Sequence, residues 1–130
     1  MVTSSELSEV VLPRDLIEEL FKLAKDNHPY EIFFLLRGKV RGKSVYVEEL
    51  ILPIGTIFGA GFSEFSPHTL PLDPSIVGSL HSHPLGTPSP SVQDLHNFFG
   101  IVMIIVAYPY NLASTRAYHK SGRRLKIKVI

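Results

Sequence analysis

The chain has no cysteine among its 130 residues. Disulfide bonds, thiolate zinc sites and cysteine nucleophiles all need that residue, so its absence excludes all three. Any metal has to be held by histidine, aspartate or glutamate. The six histidines are therefore the first side chains to consider for a metal site.

The sequence also lacks an excess of charge and a long apolar run. Thirteen basic and twelve acidic residues leave a net charge of +1, which supplies no broad basic field for nucleic acid. The longest apolar run, Phe98 to Tyr108, falls short of the roughly 20 residues that a membrane helix needs. Met1 to Val11 lacks the basic start and apolar stretch of a signal peptide. We expect a cytoplasmic protein with neither nucleic acid nor membrane as partner.

Length and composition favour one domain over residues 1–130, since 45% of them are hydrophobic. Apolar residues recur at helical spacing from Leu12 and predict an amphipathic helix, which ends near Asn27 because His28-Pro29 follows. A second, shorter helix is predicted from about Ser91 to Phe99.

Several segments have strand character. Glu31 to Leu36 is apolar on both faces, which predicts an internal strand, and Gly38 to Gly42 predicts a hairpin turn after it. The other predicted strands are Ser44–Pro53, Phe62–Phe65, Ser75–His83, Ile101–Ala107, Ala113–His119 and Leu125–Ile130. This alternation of helices and strands predicts an α/β or α+β domain with a mixed sheet. The C-terminal strands could leave an exposed edge for a partner's tail or a second copy, so homo-oligomerisation stays open.

Two histidines at the end of a predicted strand carry the clearest chemical signal. His81 and His83 are two residues apart and project from the same face of a strand, as two ligands of one metal must. After a loop rich in glycine and proline, Ser91 and Asp94 fall in the first turn of the second predicted helix. Two imidazoles and a carboxylate give three protein ligands and leave a zinc ion one open position, as in catalytic sites.

The combination is more specific than its parts. A bare His-x-His arises by chance about 0.3 times in such a chain, whereas adding Pro84, Ser91 and Asp94 at fixed offsets lowers this to on the order of 10⁻⁴. An isolated histidine pair is more often bonded to backbone or water. Ser91 and Asp94 also have the spacing of a helix capping box, which is compatible with a role in a site.

A hydrolytic zinc also needs a proton acceptor. Glu31 differs from the other glutamates because it opens an apolar strand, where burial could raise its pKa; the alternative is a strand-end charge in solvent. His96 should point away from Asp94, and His28, His68 and His119 have no ligand-like spacing.

These residues resemble the JAMM (MPN+) family of zinc metalloproteases. The family signature is an upstream glutamate, then His-x-His-Pro, six residues and Ser-x-x-Asp. Here it reads Glu31, His81-Ser82-His83-Pro84, six residues, and Ser91-Val92-Gln93-Asp94. Phe34 departs from the small residue that many members have at its position.

The resemblance implies that His81, His83 and Asp94 bind one zinc ion per chain. It also implies that Glu31 is general base and then general acid, and that Ser91 donates to the oxyanion. The implied fold is a single-domain α/β sandwich resembling cytidine deaminases, with a curved mixed sheet flanked by helices. A chain of this size resembles minimal archaeal or bacterial members.

The implied activity is hydrolysis of isopeptide or peptide bonds at the C-terminus of ubiquitin-like modifiers, with these or sulfur-carrier-type proteins and their conjugates as partners. Two alternatives stay open. One keeps the zinc and acts on a small amide, or on an amino acid attached to a sulfur carrier; the other is a catalytically silent scaffold of the same fold. A zinc deaminase fits less well, because that chemistry places a glutamate two residues after a ligand histidine and uses cysteine ligands.

Overall fold

The computed structural model describes residues 6–52, 57–59, 62–64, 73–91, 94 and 98–130. The helix and strands, in chain order, are β1 (Glu9–Leu12), α1 (Arg14–Asn27), β2 (Phe33–Arg41), β3 (Ser44–Ile51), β4 (Ile57–Gly59), β5 (Phe62–Glu64), β6 (Ile76–His83), β7 (Val102–Ala107), β8 (Thr115–His119) and β9 (Arg124–Val129). A short 3₁₀ turn, Leu112–Ser114, precedes β8.

Helix α1 confirms the first predicted helix. Its buried residues, Leu16, Ile17, Leu20 and Ala24, follow the spacing of a single helical face. The helix ends at Asn27, one residue before His28, whose backbone is disfavoured in α conformation because Pro29 follows. The apolar face packs on the main core of the sheet.

Seven strands form one mixed sheet in the order β1-β3-β2-β6-β7-β8-β9. β1 pairs in parallel with both β3 and β9, so the sheet curves until it closes. β6 and β7 are also parallel, and the remaining pairs are antiparallel. The predicted mixed α/β fold is confirmed, with α1 as its main helix in the described part of the chain. The likeness to cytidine deaminases stays a prediction.

The predicted C-terminal edge is wrong. β9 lies between β8 and β1: Arg124 and Leu125 pair with β8, and Lys126 to Val129 pair with β1. The sequence pattern did not reveal β1, because Val10 and Val11 form only a very short apolar stretch before the helix. Because β1 fills the gap between β3 and β9, another chain cannot extend the sheet there.

Strand β2 is internal, as predicted, since it pairs with β3 and β6. It continues through Gly38 to Arg41, however, and the predicted start of the turn at Gly38 is wrong. A Cβ at Gly38 would lie 2.0 Å from the Tyr46 carbonyl oxygen. Glycine therefore allows β2 to approach β3 closely at the bulge between Arg37 and Gly38. The turn itself lies at Gly42, where φ is +58°.

Both faces of β7 are buried, which agrees with its strong β pattern. Val102, Ile104 and Val106 face the main core, whereas Met103 and Ile105 form a second cluster with Tyr118 and the half-buried Phe98. The second predicted helix mostly lies outside the described residues. Asp94 itself is helical, but Phe98 and Phe99 are not, so the predicted helix end is wrong.

The histidines of the motif lie at the end of β6, and β6 packs closely against β7. A Cβ at Gly78 would lie 2.0 Å from the Val102 carbonyl oxygen, so only glycine allows this approach. The register then aligns His81 with Ile105 and His83 with Ala107. Within the described parts of the chain, no helix has the length and apolar character needed to cross a membrane.

Candidate metal centre

The C-terminal end of β6 presents the two histidines of the motif on one side of the sheet. Their ring centroids are 4.9 Å apart, as expected for alternate residues of a strand. They lie on the face of Met103 and Ile105, opposite the face that α1 covers. His81 is buried and His83 is partly buried.

Glu31 reaches the histidines from the residues just before β2. The Ser82 backbone N–H donates to the Ile32 carbonyl at 3.1 Å, which holds this segment against the end of β6. The Glu31 side chain is buried, and its Oε1 lies 3.5 Å from His81 Nδ1. Of the two alternatives that the sequence left for Glu31, burial is therefore correct and a solvent-exposed position is wrong.

Asp94 approaches from the other side through a capping box. The Ser91 backbone N–H donates to Asp94 Oδ2 at 2.7 Å, and the Asp94 N–H donates to Ser91 Oγ at 3.0 Å. This reciprocal pair is the predicted cap and fixes the carboxylate. Asp94 Oδ2 lies 3.2 Å from His83 Nε2, and Oδ1 lies 3.5 Å from His81 Nδ1. The fold thus gathers Glu31, His81, His83 and Asp94 into one four-residue cluster.

The loop after β6 orients His83. The carbonyl oxygen of Thr87 lies 2.6 Å from His83 Nδ1 and can accept only from a protonated nitrogen. The other nitrogen, Nε2, therefore faces Asp94. A backbone carbonyl in this position is how metal-binding imidazoles are commonly held in one tautomer.

Charges within the cluster shift two pKa values in opposite directions. Burial opposes the charged form of His83, but hydrogen bonds to Asp94 and to the Thr87 carbonyl outweigh it and raise the pKa. Burial also opposes ionisation of Asp94, yet the His83 hydrogen bond, the His81 charge and the Ser91 contacts lower its pKa to about 2. Without a cation, the imidazoles and carboxylates are thus paired with one another.

The donor set fits a zinc ion. The His81 nitrogen that faces the cluster is Nδ1, which lies 3.5 Å from Glu31 Oε1 and 3.5 Å from Asp94 Oδ1. Ligand atoms of Glu31, His81 and His83 lie within 4.8 Å of one another, and Asp94 contacts both histidines. Imidazole nitrogens and carboxylate oxygens are the donors that zinc accepts in proteins without cysteine.

Two further histidines of the described residues lie away from this cluster. His28 Nδ1 is hydrogen-bonded to the Tyr110 hydroxyl at 2.6 Å, and His119 Nδ1 to the Ser121 hydroxyl at 2.9 Å. His68 and His96 are outside the described residues, so the expected orientation of His96 stays a prediction.

Two groups that hold the site residues in place were not predicted from the sequence. The Thr87 carbonyl could not be found, because any residue supplies a backbone oxygen. Ser82 could have been found, since strand alternation turns its side chain away from the histidines and toward the core. A buried hydroxyl needs a partner there, and Ser82 finds one in the Ile32 N–H.

Comparisons with known proteins agree with this geometry. Residues 13–118 match the Prok-JAB family, described as prokaryotic homologs of the JAB domain. A relative from Haloferax volcanii, described as a probable metalloprotease, is 33% identical over 131 residues, covering 94% of this chain and 81% of the relative.

Solved structures give the same result. This chain is similar to a JAB1/MPN domain protein from Archaeoglobus fulgidus, with a TM-score of 0.65 and 32% identity over 92% of this chain and 97% of that one. It is also similar to a structure described as "JAMM: a metalloprotease-like zinc site in the proteasome and signalosome", with a TM-score of 0.65, 29% identity and coverage of 95% and 98%.

Proposed function

Because this chain belongs to the family of prokaryotic homologs of the JAB domain, we propose that it is a zinc-dependent metalloprotease that hydrolyses isopeptide or peptide bonds at the C-terminus of ubiquitin-like modifiers. One observation carries the proposal. Two imidazoles and two carboxylates meet at the end of β6, and no lysine or arginine in the described part of the chain pairs with them. Such a cluster is completed by a divalent cation.

His81, His83 and Asp94 are the proposed zinc ligands. Asp94 contacts both imidazoles, whereas the Glu31 contact involves His81 alone, and this difference favours Asp94 as the third ligand. When bound, zinc supplies Lewis acidity toward water and toward the carbonyl of the scissile bond. One ion per chain matches a single cluster of this composition.

Glu31 is the proposed proton acceptor. Its carboxylate is buried beside the ligands but makes fewer contacts with them than Asp94 does. A carboxylate in this position takes a proton from the attacking water and returns it to the leaving amine, which needs no covalent intermediate. The lack of cysteine is therefore compatible with isopeptide cleavage.

Ser91 is the proposed hydrogen-bond donor to the oxyanion. Its Oγ accepts the Asp94 N–H, which leaves its own hydroxyl proton without a partner among the described residues. The cap fixes the hydroxyl next to a ligand, and rigid placement of a donor is what stabilises developing negative charge.

Ubiquitin-like or sulfur-carrier-type modifiers and their conjugates are the proposed substrates. The test incubates the zinc-loaded protein with isopeptide-linked conjugates and linear fusions, with and without chelator and beside Glu31→Gln. We expect cleavage at the modifier's C-terminus that chelator abolishes. Cleavage restricted to small amides would move the activity to the alternative substrate class. Absence of stoichiometric zinc in protein purified without chelator would indicate a scaffold and overturn the proposal.

A further inference from the structure

We infer that Ser82, the residue between the two histidines, is a positioning residue that holds Glu31 in place. The inference rests on the proposed role of Glu31 as proton acceptor. Ser82 is fully buried, and its Oγ accepts a hydrogen bond of 2.9 Å from the Ile32 backbone N–H. The Ser82 N–H donates in return to the Ile32 carbonyl at 3.1 Å.

This pair of bonds departs from an ordinary strand ladder. β2 and β6 are antiparallel, with Phe33 opposite His81, and continuing the register by one residue places Ile32 opposite Ser82. Within a regular ladder, two such residues exchange bonds between their backbone groups. Here the side-chain hydroxyl of Ser82 accepts the bond that its carbonyl would otherwise accept. A side chain therefore sets how the chain enters β2.

The consequence falls on Glu31, the residue next to Ile32. Its carboxylate has to stay near His81 without taking the place of Asp94 on the histidines. Because the Ser82 backbone is itself fixed between the two histidines, the same residue ties Glu31 to the proposed ligands. Without the hydroxyl, the buried Ile32 N–H would lack an acceptor and the segment would shift to find one.

The test compares Ser82→Ala and Ser82→Thr with wild type. Ser82→Ala removes one oxygen and adds no atom, so the strand packing is kept. Ser79→Ala is the matched control, because Ser79 is buried on the same strand but its backbone pairs opposite Leu35, away from Glu31. Each variant is measured for amide hydrogen exchange at Ile32, zinc content, kcat and KM, and Ser82→Ala is repeated in the Glu31→Gln background.

In Ser82→Ala we expect faster exchange at Ile32, unchanged zinc content, unchanged KM and a kcat lower by about tenfold, the usual scale for a group that orients a catalytic one. Ser82→Thr should restore exchange and kcat, and Ser79→Ala should match wild type. In the Glu31→Gln background, Ser82→Ala should cause no further loss.

Unchanged exchange at Ile32, or an equal loss of kcat in both Glu31 backgrounds, would overturn the inference. If the wild-type protein cleaves none of the conjugates, the proposed function fails instead. The exchange rate at Ile32 still decides in that case whether Ser82 holds the segment.

Discussion

The two ends of β6 carry charged clusters of opposite character. At its start, Arg37 is paired with Glu49 and Asp73, and the three side chains are between 31% and 51% exposed. At its end, about 23 Å away by strand geometry, the side chains of the four-residue cluster are only 7% to 17% exposed. The Arg37 cluster is therefore partly exposed to solvent, whereas the four-residue cluster is mostly buried.

The difference in partners matters more than the difference in exposure. The guanidinium of Arg37 is permanently charged and neutralises its carboxylates without help, so that cluster needs no ligand. The basic side chains that contact Glu31 and Asp94 are imidazoles, which carry charge conditionally, and no lysine or arginine of the described residues reaches them. Buried carboxylates that lack a permanent cation indicate a binding site, whereas exposed and paired ones indicate a stabilised surface.

Removing a ligand tests this contrast most strongly. His83→Ala should abolish zinc binding and hydrolysis together, because only His81 and Asp94 of the proposed ligand set would remain. The measurement is metal content by mass spectrometry, with cleavage assayed in parallel. Arg37→Gln is the control at the other end of β6 and should retain zinc and full activity. Retention of stoichiometric zinc by His83→Ala would show that the ligand set is different.

Replacing the proposed proton acceptor should abolish most hydrolysis but leave zinc binding intact. Glu31→Gln keeps the shape of the side chain but cannot take a proton, so zinc content should stay at wild-type level while kcat falls by about 10³. The matched control is Glu49→Gln, which changes an exposed carboxylate of the Arg37 cluster. Full activity in Glu31→Gln would remove Glu31 from the mechanism.

Replacing Ser91, which caps the turn of Asp94, should lower kcat less than replacing Glu31 does. Ser91→Ala removes the proposed oxyanion donor and one helix cap, so kcat should fall by about a hundredfold and stability by about 1 kcal/mol. Ser91→Thr retains a hydroxyl and should restore most of both. The measurements are steady-state kinetics and thermal unfolding, with the exposed Ser89→Ala as control. A loss of stability with unchanged kcat would leave Ser91 only its structural role.

The weakest effect is expected at the start of β6. Arg37→Gln removes two exposed ion pairs, so Tm should fall slightly at low salt and the difference should vanish at high salt. Thermal unfolding at two ionic strengths measures this. A large fall in Tm that persists in high salt would mean that this cluster contributes more than surface electrostatics.

Much of the local structure followed from sequence spacing. Helix α1, the common face of His81 and His83 and the Ser91–Asp94 cap depend on residues at most a few positions apart, where helical or strand periodicity acts directly. The missed strand shows where spacing fails. β1 is held by β3 and β9, which are distant along the chain, and a segment this short carries no sign of such partners.

The sequence by itself determined which atoms were available: two imidazoles and an aspartate with the spacing of one site, a glutamate beside an apolar strand, and no thiol. Only the tertiary structure decided that Glu31, fifty residues before His81, lies against it, and that β1 closes the sheet. The physical reason is that backbone dihedrals set neighbours within a turn or strand, whereas contacts between distant segments depend on sheet register and packing.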